Sequence, residues 1–138
     1  APVVAEVFVV NEELGVAGTL DRLFERDGKL FVGDLKTSAN ANSVNYALSS
    51  WSAQVAVYAR SRPVVNDEIV DWETLGFEAP RIDTGVVIHV HQGKGIGSAY
   101  RLDLHAGWER AKAAAFLYNQ DKEFRQVAKT AKIVTQKA

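Results

Sequence analysis

The chain has 138 residues, 16 Lys+Arg against 17 Asp+Glu, a formal net charge of −1 and 47% hydrophobic residues. That length suits one domain with room for a core, no apolar run is long enough to cross a bilayer, and so even a charge balance offers no overall field for nucleic acid, leaving any DNA contact to local patches or bound cations. The absence of cysteine excludes a disulfide framework, a thiolate zinc site, an iron–sulfur cluster and a cysteine nucleophile.

Val3 to Val10 is rich in β-branched residues and reads as a strand. Asn11 to Gly15 is a turn, Val16 to Glu25 a second strand and Leu30 to Thr37 a third, with the hairpin dipeptide Asp27-Gly28 between the last two. After a polar loop from Ser38 to Ser43, Val44 to about Arg62 is helical, with Val44, Leu48, Trp51, Val55 and Tyr58 on one stripe and Pro63 as its stop. Residues 63 to 84 read as irregular. Gly85 to His91 and Ser98 to Leu104 are strands joined by the glycine-rich turn Gln92 to Gly97. His105 to about Phe124 is helical with Trp108, Ala111, Ala115 and Tyr118 on its apolar stripe, and residues 126–138 read as a polar tail or frayed helix after a core of residues 1–125. The order β-β-β-α-β-β-α describes an α/β fold, a mixed sheet flanked by helices.

The hairpin carries the most chemistry. With Asp27-Gly28 as a two-residue loop, paired residue numbers sum to 55, so Asp21 falls opposite Asp34 and Thr19 opposite Lys36. Cross-strand partners share a face with Cβ atoms roughly 4.5–5.5 Å apart, and residues two apart on a strand share a face as well. Asp21, Asp34 and Lys36 are thus expected in one cluster. Two carboxylates in opposition destabilise a hairpin unless one is protonated, a lysine intervenes or a cation binds. Two aspartates with an open coordination sphere suit Mg²⁺ or Mn²⁺, and a lysine beside them can position the attacking water and offset phosphate charge. The plainer reading is a solvent-facing hairpin with ordinary surface charges. That reading explains less well why Asp34 and Lys36 interrupt the apolar run Leu30-Phe31-Val32 and Leu35.

Gly18-Thr19-Leu20-Asp21-Arg22, Asp34-Leu35-Lys36-Thr37 and Gln54-Val55-Ala56-Val57-Tyr58 together resemble the motifs of RecB-like nucleases of the PD-(D/E)XK superfamily: a Gly-x-x-Asp strand, an Asp-x-Lys-Thr strand and a helix with Gln-x-x-x-Tyr. The motif-bearing region runs from about Glu6 to Tyr58. The later strand-strand-helix around Gly107-Trp108 is similar to phage exonucleases related to the CRISPR adaptation nucleases. The resemblance implies a restriction-endonuclease-like core and Mg²⁺- or Mn²⁺-dependent hydrolysis of DNA. It implies Asp21, Asp34 and the Leu35 carbonyl as metal ligands, Glu6 as a further candidate ligand, Lys36 as the catalytic lysine, and Gln54 and Tyr58 as residues that shape the site and contact DNA. By spacing alone, Gln54 and Tyr58 share a helical face, and Tyr58 also fits plain core packing.

The resemblance further implies an upstream helical part before residue 1. A chain that opens on Ala1-Pro2-Val3-Val4 without an initiator methionine is expected to be a piece of a longer protein, or else a processed small one. DNA is the expected partner, with a larger parent chain or recombination proteins beside it, and the cytoplasm of a bacterial or phage-infected cell the expected compartment. The alternative function is a non-catalytic DNA-binding or assembly module on the same fold. Other features carry less. His89 and His91 share a strand face and are read as polar residues rather than metal ligands. Gly93-Lys94-Gly95-Ile96-Gly97 lacks the Gly-Lys-Ser/Thr ending of a phosphate loop and reads as a turn. Lys129, Lys132 and Lys137 read as solvated charges.

Overall fold

A computed structural model describes the backbone of residues 2–38 and 43–137, and side chains over residues 6–38, 47–95 and 97–126. Its elements are β1 (Pro2–Asn11), β2 (Val16–Arg26), β3 (Lys29–Ser38), α1 (Ser43–Ala59), β4 (Arg62–Val65), β5 (Glu68–Ile69), a 3₁₀ turn at Trp72–Leu75, β6 (Thr84–His91), β7 (Ile96–Asp103) and α2 (Leu104–Lys137). The strands form one seven-stranded sheet in the order β5-β4-β1-β2-β3-β6-β7. Every neighbouring pair is antiparallel except β3 and β6, which run parallel. The molecule is thus α/β, with a mixed sheet and flanking helices, as the alternation of patterns predicts.

Local chemistry sets the turns. Asp27 and Gly28 both take positive φ, 54° and 74°, the type I′ geometry that matches the twist of a two-residue hairpin. Arg26 accordingly pairs with Lys29. Asn11 closes the β1–β2 turn through its side chain, whose Oδ1 accepts the Leu14 N–H at 2.9 Å and whose Nδ2 donates to the Val57 carbonyl at 3.2 Å. The buried amide thereby fastens the turn to α1.

The core lies between the sheet and the two helices, centred on Leu20, Leu23, Val32, Val55, Val87 and Leu104. Asp103 starts α2 by accepting the His105 and Ala106 N–H groups on Oδ1 at 3.0 and 3.2 Å, an N-cap in both residue type and bonding. Gly107 lets α2 cross α1 closely, since a methyl group there would overlap the Ser52 carbonyl. The Arg60 guanidinium lies 4.8 Å from the centre of the Trp108 ring, a further tie between the helices.

Two expectations need correction. The first helix ends at Ala59 rather than near Arg62, and Pro63 sits in β4 opposite Val9. Residues 63–84 are not wholly irregular: β4 and β5 form a hairpin whose Asn66 and Asp67 carry positive φ of 52° and 65°. The last helix continues to Lys137, through the residues read as a polar tail or frayed helix. Among its described residues, the buried apolar side chains are Leu104, Trp108 and Ala111 in the first turns, whereas Phe116, Leu117, Tyr118 and Phe124 are all at least 60% exposed.

Candidate active site

The site begins where two strands part. β2 and β3 are paired from Arg26↔Lys29 to Arg22↔Gly33, and there the ladder ends. Past that point β3 pairs on its other edge, Gly33 to Ser38 against Val86 to His91 of β6. The expected backbone oppositions of Asp21 with Asp34 and of Thr19 with Lys36 are therefore not made, although the register that predicts them holds for the rest of the hairpin. The physical reason lies in β2. Leu20 and Leu23 are both fully buried in the same core, yet residues three apart on a regular strand face opposite sides. The alternation breaks at Asp21-Arg22. Across from the break, Glu6 of β1 lies between the pairs Ala5↔Arg22 and Val7↔Leu20 with φ of 57°, a left-handed backbone uncommon for a non-glycine residue.

Asp21 bridges the opening with its side chain. Its Oδ2 accepts the Leu35 N–H at 2.9 Å, taking the place of a ladder bond. The same oxygen lies 3.9 Å from Arg22 Nε, both side chains being about one-third exposed. In an extended strand the N–H and C=O of one residue point to the same side. The Ser38 carbonyl takes the Gln92 N–H at 2.9 Å beyond the end of β6, and the Leu35 N–H points the opposite way, toward β2. The Leu35 carbonyl consequently faces the gap beside Asp21.

Asp34 and Lys36 follow Val32 on the helix-covered face of β3. Asp34 is 8% exposed, and a carboxylate so placed needs compensation. Lys36 supplies it, with Nζ 2.7 Å from Asp34 Oδ2. The approach lacks the angle of a hydrogen bond, so that buried oxygen has no directed donor. The Coulomb attraction holds at this distance whatever the angle, and a lone pair stays free. Lys36 Nζ also donates to Gln54 Oε1 at 3.0 Å, and Gln54 Nε2 donates to Tyr58 Oη at 3.4 Å, a long bond. Tyr58 in turn lies against Gly18, where a Cβ would stand 3.1 Å from its hydroxyl. A continuous path thus runs from Asp34 through Lys36, Gln54 and Tyr58 to Gly18, joining β3, α1 and β2.

All five residues read from the sequence as catalytic thus lie around one opening between β2, β3 and α1. Glu6 is opposite Asp21 in register, and its side chain is exposed. Two carboxylates, one carrying an unclaimed lone pair, and a carbonyl directed into the gap are oxygen donors of the kind Mg²⁺ or Mn²⁺ takes. Among the described residues no three His, Cys, Asp or Glu side chains converge as a metal-binding group. The fit therefore rests on two carboxylates and a main-chain oxygen.

Other sequence features resolve without entering this path. His89 is 4% exposed and bonded to Ser38, and the residues from Gly93 to Gly95 form an exposed turn with positive φ at both glycines. Lys129, Lys132 and Lys137 lie outside the residues whose side chains are described. A groove of about 610 Å³ adjoins the site on the far side of Gln54, lined by Leu14, Val57, Ala115, Tyr118 and Lys122 among others. It contains none of Asp21, Asp34 and Lys36, so it is a neighbour of the proposed chemistry and not its seat. Sequence reasoning missed the Gly18–Tyr58 contact, although both residues stand in the motifs it quotes, and the Ser38–His89 hydrogen bond. Comparison of the chain with protein-family models and with curated proteins finds no match.

Proposed function

We propose that this chain is a metal-dependent deoxyribonuclease domain of the RecB-like kind, with a restriction-endonuclease-like core, acting on DNA as an exonuclease in recombination, repair or degradation. The observation that carries the reading is the placement of Asp21, Asp34 and the Leu35 carbonyl around one strand opening with Lys36 in contact with Asp34. A passive salt bridge would account for Asp34 and Lys36. It gives no reason for a second carboxylate to replace a ladder bond at the same opening, or for a glutamine and a tyrosine to extend the lysine's tether into α1.

Asp21, Asp34 and the Leu35 carbonyl would hold the cation. Bound there, Mg²⁺ or Mn²⁺ would polarise a phosphoryl oxygen and favour a hydroxide-like nucleophile. Lys36 would orient the attacking water and offset negative charge on the phosphorus at the stage where it is greatest. Gln54 restricts the ammonium to one side of Asp34, and Tyr58 restricts the Gln54 amide. Asp21, by accepting the Leu35 N–H, fixes the main chain whose carbonyl it accompanies.

The test is digestion of end-labelled linear and circular DNA with Mg²⁺, Mn²⁺ or EDTA. Cleavage that needs the divalent ion and disappears in Asp34→Ala is expected. Binding of DNA without cleavage under every condition would return the chain to the class of non-catalytic DNA-binding modules.

A further inference from the structure

Beside Lys36, on the neighbouring strand, lies a second buried polar contact that the proposed chemistry does not use. His89 of β6 is the register partner of Lys36 and is only 4% exposed. Its Nε2 and Ser38 Oγ are hydrogen-bonded at 2.7 Å, the donor following the tautomer. The Trp51 ring of α1 stacks on the imidazole, with centroids 6.1 Å apart and planes 27° from parallel. Ser38 stands two residues beyond Lys36 on the same face of β3, and Trp51 stands one helical turn before Gln54 on α1.

These contacts close a ring: Ser38 to His89, His89 to Trp51, one turn of α1 to Gln54, Gln54 to Lys36, and two residues of β3 back to Ser38. The ring matters because β3 has lost β2 as a neighbour beyond Gly33. The Lys36–Gln54 bond joins two long side chains with many rotamers, so it cannot itself set the height of α1 along β3. A planar ring stacked on a planar ring, with one of them anchored by a short hydrogen bond, has few ways to slide. A valine, as at Val87 one step earlier on the same face, would fill the space without needing any partner. An imidazole buried there instead requires a bond, and that bond runs to the strand carrying Asp34 and Lys36.

We propose that His89 is a positioning residue, clamped between Ser38 and Trp51 so that α1 stands at the height where Gln54 reaches Lys36. This rests on the reading of Lys36 as the catalytic lysine only for its consequence in turnover; the positioning itself is a property of the fold.

The experiment follows the Lys36 ammonium by ¹H–¹⁵N NMR, assigned by its loss in Lys36→Arg, together with cleavage kinetics. A held ammonium gives a slowly exchanging signal in the wild type. It should broaden or vanish in His89→Ala and return in His89→Gln, whose amide can reach the Ser38 hydroxyl. Turnover should fall with KM little changed, by up to about the 10²-fold that a misplacement near 1 Å costs, and recover most of the loss in His89→Gln. If His89→Ala does not fold, Ser38→Ala removes the hydroxyl while keeping the packing, and the same weakening of the Lys36 signal is expected. An unchanged ammonium signal in folded His89→Ala, or in Ser38→Ala, overturns the proposal. A wild type that cuts no DNA under any metal condition defeats the nuclease reading alone, because the ammonium signal still decides the positioning.

Discussion

Lys36 has two obligations that mutation can separate. Its ammonium compensates a carboxylate that is 8% exposed, and it is aimed by Gln54 at 3.0 Å. Removing one member of a buried pair leaves the other uncompensated, which costs about 3–5 kcal/mol in a fully buried case. The Lys36 side chain is 28% exposed, so water takes up part of that loss and roughly 1–2 kcal/mol is expected. Lys36→Ala should therefore be destabilised in a denaturant titration, and the double change Asp34→Asn, Lys36→Ala should regain most of the loss because no buried charge remains. Activity behaves differently. Lys36→Ala should lower turnover by about 10²–10⁴ with metal affinity unchanged or slightly raised, and the double variant should recover none of it. A lysine that merely neutralised Asp34 would leave turnover of folded Lys36→Ala near that of the wild type, whatever the loss of stability.

At the scale of elements, the crossing of α1 and α2 hangs on the absence of one methyl group. Gly107→Ala would drive a Cβ into the Ser52 carbonyl; overpacking of this kind costs about 1–3 kcal/mol. Thermal unfolding should show that loss, whereas Gly15→Ala, where a Cβ meets nothing within 4 Å, should cost only its backbone strain at φ of 66°. The segment leading into β6 is held by Arg81, whose N–H donates to the Leu30 carbonyl at 2.8 Å and whose Nε donates to Asp83 Oδ1 at 2.8 Å. The hydrogen bond from Arg81 holds the Asp83 carboxyl below its ordinary value. A depressed carboxylate adds stability above its unfolded pKa and loses it as pH falls through the folded one. Asp83→Asn should therefore flatten the acid side of the stability curve below the usual carboxylate range and leave its slope at neutral pH unchanged. Strands and helices bounded by a strong turn or by clear periodicity were legible in the sequence: Asp27-Gly28 fixed a hairpin register that the structure repeats from Arg26↔Lys29 to Arg22↔Gly33. What stayed hidden was where that register stops, because the break at Asp21-Arg22 follows from Leu20 and Leu23 entering the same core, a packing that strand alternation does not predict. The β4–β5 hairpin was hidden for another reason: Asn66-Asp67 makes a turn without glycine, and Pro63 reads as a breaker even though it sits inside a paired strand.

For the whole molecule the decisive quantity is the net charge of −1. A protein that grips DNA through many lysine and arginine contacts releases a counterion for each phosphate neutralised, and its affinity falls steeply with salt, by a slope of about −0.9 per contact. With charges so nearly balanced, this chain has no long-range attraction for the duplex. The site itself offers a phosphate no excess positive charge, since the carboxylates of Asp21 and Asp34 are matched by Arg22 and Lys36. A divalent cation adds that charge locally, turning two carboxylates into a net acceptor for a phosphoryl oxygen. DNA affinity should thus depend on the metal more than on ionic strength. Fluorescence anisotropy with Lys36→Ala, expected to cut slowly enough for binding to be read, should show affinity at least about tenfold weaker in EDTA than in Mg²⁺, a difference of roughly 1.4 kcal/mol. The salt slope should be shallow, corresponding to about two or three phosphate contacts. Asp34→Ala should lose the Mg²⁺ effect and bind alike in both buffers. If affinity in EDTA equals that in Mg²⁺ and falls steeply with salt, the DNA is held by a basic surface elsewhere on the chain, and the Asp21–Asp34 opening is not where its backbone docks.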